Sequence, residues 1–420
     1  MKPGFYTIMA AQFCSSLADN ALLIAAIALL VEMHAPAWMT PLLKLFFTIS
    51  YVVLAPFVGA FADALPKGRV MFVTNTVKMV GCGLMFWSVH PLLAYAVVGF
   101  GAAAYSPAKY GILTELLPPE KLVAANGWIE GTTVGSIILG TVLGGLLVSP
   151  KVAAALLSFE MPGLETGIDS PAEAAILVIA GVYALAAVFN LRIPDTGVRY
   201  AHQERHPLRL LVDFAGCLAL LWRDKLGQIS LAVTTLFWGA GATLQFIVLK
   251  WADVQLGMPL SRAAMLQGVV AVGIAVGAVV AARFVPLRGS LRVLPVGVAM
   301  GALVPMMTLV HGVGVAYPTL VLIGALAGYF VVPMNALLQH RGHVLMSAGH
   351  SIAVQNFNEN LMILAMLGLY AMLIRADVHI NTVIVMFGGF VALTMLGVMR
   401  LHATNQRKFD SVALIGQARH

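Results

Sequence analysis

The sequence predicts an all-α membrane protein with twelve transmembrane helices in two pseudo-symmetric halves of six. The chain consists mostly of long apolar runs, and twelve of them can be separated by turn-forming or polar residues. A helix needs about 20 apolar residues to cross a bilayer. In addition, a segment of the first half recurs about half a chain length later, which indicates an internal duplication.

The overall composition excludes an ordinary soluble domain. Of the 420 residues, 60% are apolar and only 10% are charged, and the mean hydropathy is +0.91. The three cysteines, Cys14, Cys82 and Cys217, are far apart, so we expect neither a disulfide framework nor a metal or cofactor site. The first apolar run continues from Tyr6 to Val31 and is too long for a signal peptide. We therefore expect an uncleaved first span.

The apolar runs give the order of the spans along the chain. The longest polar interruption lies between the sixth and seventh spans. We expect a first half at 1–193, a central loop at 194–225, a second half at 226–402 and a tail at 403–420. The predicted spans fall near residues 5–33, 41–63, 69–89, 92–117, 121–148, 172–193, 226–251, 262–285, 291–311, 315–339, 346–374 and 379–401.

The distribution of basic residues predicts the orientation of the chain in the membrane. Of the 25 Lys and Arg residues, 18 lie on one side of the predicted spans and five on the other, and Lys78 and Lys109 lie within spans. Short cytoplasmic loops are enriched in Lys and Arg. We therefore expect both termini and the central loop in the cytoplasm. The net charge of +7 then reflects topology and not binding of nucleic acid.

The internal duplication is visible at two pairs of spans. Pro107 in the fourth span aligns with Pro333 in the tenth, and Lys109 aligns with Asn335, each at an offset of 226 residues. In the fifth and eleventh spans, the pair Asn126 and Glu130 aligns with Gln355 and Glu359 at an offset of 229. Two independent matches at nearly the same offset support the prediction of two related halves.

Polar residues recur at helical spacing inside several predicted spans, so the members of each group share one face of a helix. An ionisable residue costs roughly 2.5–3.5 kcal/mol at the centre of an isolated membrane helix. Such residues are expected to face protein or a water-filled path, and we take them with their polar neighbours as candidate substrate-binding residues. The candidates are Gln12, Asp19, Asn20, Lys78, Lys109, Asn126, Glu130, Asn335, Gln355, Asn356 and Glu359.

Two interpretations of the embedded charges remain open. In the first, Asp19, Glu130 and Glu359 line a path for a substrate or an ion. In the second, the charges form internal ion pairs, for example between Lys109 and Glu130, that only lock helices together. Lys109 lies about two turns from the cytoplasmic end of its span, so its side chain could also reach the membrane surface.

Glycines at every fourth position predict helix faces that pack closely. This spacing occurs in the fifth and the eighth predicted spans. The glycines concerned are Gly127, Gly131, Gly135, Gly140, Gly144, Gly273 and Gly277.

The loop between the second and third predicted spans carries a recognisable pattern. It reads GAFAD from Gly59 to Asp63, followed by Lys67 and Arg69. This pattern resembles the signature loop of the major facilitator superfamily, although Ala64 stands where a basic residue is usual. The resemblance implies that Asp63, Lys67 and Arg69 take part in gating at the cytoplasmic side.

Five longer stretches, which occur in both halves, carry a narrower similarity. They are AQFCSSLADNAL at 11–22, GFGAAAYSPAKYGIL at 99–113, LFWGAG at 236–241, VVPMNALLQ at 331–339 and IAVQNFNEN at 352–360. Together they resemble the bacterial lysophospholipid transporter branch of the superfamily. The branch implies a basic residue near Gln245 on the seventh span as a phosphate clamp, and this sequence departs from the branch there.

The resemblance implies the major facilitator fold and a function as a lysophospholipid flippase of the inner membrane. The substrates implied are lysophosphatidylethanolamine and related single-chain lipids, moved from the outer to the cytoplasmic leaflet. The resemblance also implies a partner on the cytoplasmic side, an acyltransferase and acyl-carrier-protein synthetase that re-acylates the product.

Other functions are weighed against this one. An exporter of drugs or organic ions would use the same scaffold, and a receptor or assembly scaffold would bind without transport. An enzyme is disfavoured because the sequence has no HxxxxD, GxSxG, Walker or HExxH motif.

Overall fold

The computed structural model describes residues 3–36, 39–158, 170–200, 204, 206–258 and 260–416, and all regular structure in these ranges is helical. The all-α class predicted from the sequence is confirmed. The predicted central loop lies partly outside the described residues, at 201–203 and 205, and so do the last four residues of the predicted tail.

Fifteen α-helices occur in the part of the chain that the structure describes. They are α1 (Pro3–Glu32), α2 (Thr40–Val53), α3 (Ala55–Ala64), α4 (Lys67–Phe86), α5 (Pro91–Leu116), α6 (Leu122–Leu147), α7 (Pro150–Leu157), α8 (Pro171–Leu191), α9 (Pro207–Arg223), α10 (Gly227–Leu256), α11 (Leu260–Phe284), α12 (Leu294–Leu303), α13 (Val313–Leu345), α14 (Ala348–Arg375) and α15 (Ile380–Lys408). Short 3₁₀ segments lie at Pro119–Lys121, Leu287–Val293, Val304–Leu309 and Ser411–Leu414.

Each of the twelve predicted spans corresponds to helical structure, but not all of these segments are long and apolar enough to cross a membrane. Among the described residues, ten helices are long and apolar enough, and the count is eleven if the bent pair of α2 and α3 is one span. The remaining predicted span, 69–89, corresponds to α4, which is helical but carries several polar residues, among them Arg69, Asn75 and Lys78. Twelve spans therefore remain a prediction.

The second predicted span is not one straight helix. It is broken at Leu54 into α2 and α3, which meet at an angle of 67°. Pro56 lies in the first turn of α3, where its missing N–H is tolerated, although its ring prevents a continuous helix through this point. By contrast, α5 and α13 continue through Pro107 and Pro333, the two prolines that the internal duplication aligns.

The predicted central loop contains a helix that the sequence analysis did not identify. Residues 207–223 form α9, so the polar interruption at 194–225 is only partly a loop. The predicted tail begins inside a helix, since α15 extends to Lys408. A further short helix, α7, follows α6 directly and lies outside the predicted spans.

The chain forms two compact units, residues 1–112 with 135–211 and residues 113–134 with 212–420. In the first unit, α8 packs against α1 and α4, and these helices with α5 build a core that contains Leu22, Met85 and Tyr183. In the second unit, the principal packing pairs are α11 with α13, α10 with α14 and α12 with α15. The change from the first unit to the second at 211/212 falls within 194–225, and residues 113–134 group with the second unit.

The close helix packing predicted at seven glycines is found at five of them. A Cβ atom on Gly273 or Gly277 would overlap the backbone of α13, and one on Gly140 or Gly144 would overlap the backbone of α1. A Cβ on Gly127 would meet the Cβ of Ala282 in α11 at 2.6 Å. Gly131 and Gly135 are different. A Cβ would meet nothing within 4 Å at Gly131 and only the ring of Phe13 at Gly135.

Candidate functional site

A charged pair joins α1 and α4 in the interior of the first unit. The Lys78 ammonium donates to both carboxylate oxygens of Asp19, each at 2.9 Å. The Lys78 side chain is 1% exposed, whereas the Asp19 side chain is 20% exposed. The pair therefore has a sheltered cation and an anion that can still be reached from outside the helix packing.

Hydrogen bonds from neighbouring helices hold this pair in place. The Tyr183 hydroxyl on α8 donates to Asp19 Oδ1 at 2.6 Å, and Lys78 also donates to Ser15 Oγ at 3.0 Å. Ser15 in turn donates to Asn75 Oδ1 at 2.8 Å. The Lys78 ammonium also lies 5.0 Å from the centre of the Tyr105 ring, a favourable cation–π distance.

A glycine on α5 makes room for the lysine. A Cβ atom at Gly101 would lie 2.7 Å from Lys78 Cγ and 2.8 Å from the Thr74 carbonyl oxygen. Only a residue without a side chain lets α5 approach α4 this closely while the lysine stem passes between them. The stretch around Gly101, which the sequence analysis singled out, thus supports the position of Lys78.

The other candidates on the first unit have separate roles. Asn20 donates its amide to the Ser16 carbonyl of its own helix at 2.8 Å, and Gln12 is buried at 1% exposure. Lys109 is half-buried, and its ammonium lies 4.2 Å from the centre of the Tyr110 ring.

The signature loop contains a buried ion pair. Lys67 Nζ lies 2.5 Å from Asp63 Oδ1, and the exposed fractions of their side chains are 2% and 0%. Lys67 also donates to the Ala62 carbonyl at 2.8 Å and lies 5.0 Å from the centre of the Tyr200 ring. Lys67 thus supplies the positive charge that Ala64 does not, whereas Arg69 is exposed.

In the second unit, Asn126 of α6 pairs with Gln339 of α13. Each amide nitrogen donates to the oxygen of the other side chain at 2.9 Å, and the two residues are 0% and 1% exposed. Asn126 also donates to the Leu122 carbonyl at 2.9 Å. The pair is a reciprocal bond between two helices, and both of its amide groups are occupied.

A second polar cluster in this unit lies between α13 and α14. Gln355 donates to Glu359 Oε1 at 2.7 Å and to Asn335 Oδ1 at 3.1 Å. Three of the predicted residues are therefore in contact. Glu130 and Asn356 are also buried, at 4% and 8% exposure.

The second unit also contains an apolar cavity of about 610 Å³, counting the space at its mouth. Phe237, Val270, Met300, Ile323 and Phe387 are among the residues that line it. Its polar edge is formed by Gln245 and Gln267, and Gln267 donates to the Gln245 carbonyl at 2.7 Å. Gln245 is the position at which the sequence analysis expected a basic residue.

Sequence reasoning missed several residues that the structure connects to these groups. Tyr183, Ser15 and Gln339 have no unusual position in the sequence, because a tyrosine, a serine or a glutamine in an apolar run is common. The pair of Asp224 and Arg341 was also missed. Arg341 donates to both Asp224 oxygens, at 2.9 and 2.7 Å, and both side chains are 9% exposed.

The exposed part of the central loop contains Asp195, a carboxylate with a shifted pKa. Hydrogen bonds from Arg199 and from the Gly197 amide lower the pKa of Asp195 to about 2. Within the described residues, no group of three or more His, Cys, Asp or Glu side chains has the arrangement of a metal site.

Long apolar helices with charged and amide clusters buried among them define a class, that of polytopic membrane transporters. Comparison with known proteins narrows the class. A family profile described as Major Facilitator Superfamily matches residues 8–366. The chain belongs to the major facilitator superfamily.

Relatives identify the branch. The chain is 43% identical over 381 residues to a protein named lysophospholipid transporter LplT from Yersinia enterocolitica. The aligned residues cover 90% of this chain and 89% of the relative. It is also 43% identical over 376 residues to the protein of the same name from Yersinia pestis, and the aligned residues cover 89% of this chain and 88% of that relative. The resemblance stated from the sequence motifs is therefore confirmed.

Solved structures agree on the fold. A bacterial homologue of the iron transporter ferroportin has a TM-score of 0.72 at 13% identity and covers 97% of this chain and 100% of its own. The E. coli fucose:proton symporter FucP also has a TM-score of 0.72, at 14% identity, with 96% and 98% coverage. The predicted major facilitator fold is confirmed.

Proposed function

We propose that this protein is a lysophospholipid transporter. It moves lysophosphatidylethanolamine and related single-chain phospholipids from the outer to the cytoplasmic leaflet of a bacterial inner membrane by alternating access. The observation that carries the proposal is the 43% identity, over about nine tenths of the chain, to relatives named for this substrate. The multi-pass helical architecture supports it.

The pair of Asp19 and Lys78 suits a zwitterionic headgroup. A charged headgroup cannot cross hydrocarbon without polar partners. The Asp19 carboxylate can accept an ammonium group, and Lys78 can then donate to the phosphate that follows it in the lipid. Because the headgroup carries both signs, it can replace each partner of the pair without leaving an uncompensated charge in the protein.

The polar cluster of Gln355, Glu359 and Asn335 supports a second set of contacts to polar atoms of the substrate. The Gln355 amide and the Glu359 carboxylate lie one helical turn apart on α14, and Gln355 also donates to Asn335 on α13. Asn126 is a weaker candidate, because its amide is already bonded to Gln339. The single acyl chain needs only apolar surface.

The buried pair of Asp63 and Lys67 suits a role in gating on the cytoplasmic side. The pair ties the end of α3 to the start of α4. In this proposal both termini and the central loop are cytoplasmic, in agreement with the 18-to-5 bias of Lys and Arg. The transported product lacks one acyl chain, so an acyltransferase and acyl-carrier-protein synthetase on that side is its chemical consumer.

Uptake by vesicles tests this function. Purified protein is reconstituted into phospholipid vesicles, labelled lysophosphatidylethanolamine is added outside, and albumin extracts what remains in the outer leaflet. We expect the fraction that albumin cannot extract to grow faster than in vesicles without the protein. Equal rates would contradict the proposal. Transport of an organic cation but not of the lysolipid would favour the exporter, and binding without transport would favour a receptor.

A further inference from the structure

Helix α9 has three distinct faces. One face packs on α14 in the second unit and carries Phe214 and Leu221, which are 6% and 0% exposed. The rings of Phe214 and Phe357 meet edge to face with their centres 5.4 Å apart, and the Trp222 indole donates to Asn358 Oδ1 at 3.2 Å. These two contacts attach α9 to α14.

A second face is apolar and uncovered. Val212 is 71% exposed, and Leu208, Leu211 and Trp222 are 67%, 45% and 39% exposed. At about 3.6 residues per turn these side chains fall on one side of the helix, together with the exposed Ala215 and Ala219. An apolar stripe along four turns of an anchored helix is more than scattered surface hydrophobicity.

The third face is polar. Arg209 and Asp213 are exposed and lie, together with the partly exposed Leu220, on the side of the helix away from both the packed face and the apolar stripe, and the exposed Arg223 lies at the border with the stripe. A helix with one apolar and one charged face is the form that lies in the plane of a membrane surface.

The position of α9 in the chain brings it to that surface. Only three residues separate Arg223 from Gly227, the first residue of the membrane helix α10, so the end of α9 lies within about 14 Å of it. Its contacts Phe357 and Asn358 lie about 14 Å along α14 from Ala348, at 1.5 Å per residue. These contacts therefore lie within a helix that is long and apolar enough to cross a membrane.

We propose that the uncovered face of α9 is embedded in the lipid leaflet on the central-loop side of the membrane. The stripe around Val212 contacts acyl chains, Trp222 lies at the level of the headgroups, and the charged face meets water. Arg223 and Lys225 have no ion-pair partner among the described residues, and lipid phosphates can serve as their counter-ions. This inference rests on the membrane architecture and not on the identity of the transported lipid.

Depth measurements on single cysteines test the proposal. In a variant without Cys14, Cys82 and Cys217, cysteines replace Val212 and Ala219 on the apolar face, and Arg209 and Asp213 on the polar face as matched controls. Each is labelled with an environment-sensitive fluorophore in vesicles of phosphatidylcholine and phosphatidylglycerol that contain no other protein. We expect acyl-chain spin labels to quench positions 212 and 219, and iodide to quench positions 209 and 213.

Iodide quenching of equal strength on both faces would overturn the proposal, since the stripe would then be in water and free for a protein partner. A second measurement uses the unmodified protein, so that it does not depend on the variants. Phospholipids with a photoreactive group in the acyl chain should label residues 207–223. Absence of label there, with label present on the membrane helices, would also overturn it.

Discussion

At the scale of single residues, the interior polar groups differ in whether their bonding capacity is used up. The amides of Asn126 and Gln339 are bonded to each other, and their position between α6 and α13 makes them a helix-to-helix lock. Asp19 is different, because it accepts from Lys78 and Tyr183 but keeps a fifth of its side chain accessible. A buried polar group with its hydrogen bonds made stabilises the folded protein, whereas an accessible charged group can exchange its hydrogen-bond partners.

The amide pair gives a prediction about stability. Asn126→Leu leaves the Gln339 amide buried without its partner, which should lower the stability of the detergent-solubilised protein by about 1–3 kcal/mol. The double variant with Gln339→Leu removes both polar groups and should recover most of that loss. Thermal unfolding of the three proteins measures both effects. A double variant as unstable as the single one would show that the pair is not the lock described here.

At this scale the sequence identified the buried charged residues more readily than it identified their partners. Asp19 and Lys78 were both found, because charges inside apolar runs are conspicuous. Their pairing could not be predicted, since it depends on how α1, α4 and α8 come together and not on spacing within one helix. For the same reason the sequence gave no sign that Tyr183 joins the pair.

At the scale of helices, two helices pack where small residues let their backbones come into close contact. The faces of α11 and α13 meet at Gly273, Gly277, Gly324 and Gly328, and at each of these a Cβ atom would overlap backbone of the other helix. In a membrane, this kind of close van der Waals contact replaces the hydrophobic effect as the source of helix association.

A comparison of two glycines on α11 tests this packing. Gly277→Ala places a methyl group against the Ala325 carbonyl and should destabilise the protein by about 1–3 kcal/mol. Gly268→Ala is the matched control, because its methyl group meets nothing within 4 Å and alanine favours helix. Melting in detergent should fall for the first variant only. Equal melting temperatures would contradict the tight interface.

The junction of α3 and α4 gives a functional prediction. Asp63→Asn removes the carboxylate that Lys67 contacts at this junction and should slow lysolipid uptake while the protein still inserts into the membrane. Asp195→Asn is the control, since Asp195 and Arg199 form an exposed pair on the central loop, and uptake should not change. Uptake by Asp63→Asn at the rate of the unchanged protein would show that the signature loop has no role in gating.

Sequence periodicity predicted the long helices but not their irregularities. The helix breaks at Leu54, close to Pro56, whereas α5 and α13 continue through Pro107 and Pro333. The presence of a proline therefore does not by itself predict where a helix breaks. The sequence predicts a loop where α9 lies because average hydropathy mixes the charged and apolar faces of this helix. Reading residues 207–223 by face instead of by average would have identified it.

At the scale of the whole molecule, the bias of Lys and Arg predicts the orientation. Single cysteines at Ser170 and His206, in a variant without the three native cysteines, should react differently with an impermeant thiol reagent added to intact cells. We expect labelling at position 170 only, because position 206 lies in the central loop. Labelling of position 206 from outside would reverse the orientation.

The central claim is that the pair of Asp19 and Lys78 is a headgroup site in a lysolipid transporter and not merely a lock between helices. Asp19→Asn leaves Lys78 buried and unpaired, so the variant should lose about 3 kcal/mol of stability as well as uptake. The double variant Asp19→Asn, Lys78→Gln has no unpaired charge and should recover stability. The two interpretations differ in whether it also recovers transport.

The most direct test is therefore lysophosphatidylethanolamine uptake per folded molecule by this double variant in reconstituted vesicles, measured beside its thermal unfolding, with Asp195→Asn as the control. The headgroup site predicts a double variant that melts close to the unchanged protein and takes up no more lysolipid than empty vesicles. A double variant that melts normally and transports normally would contradict the claim and leave the pair as a lock between α1 and α4.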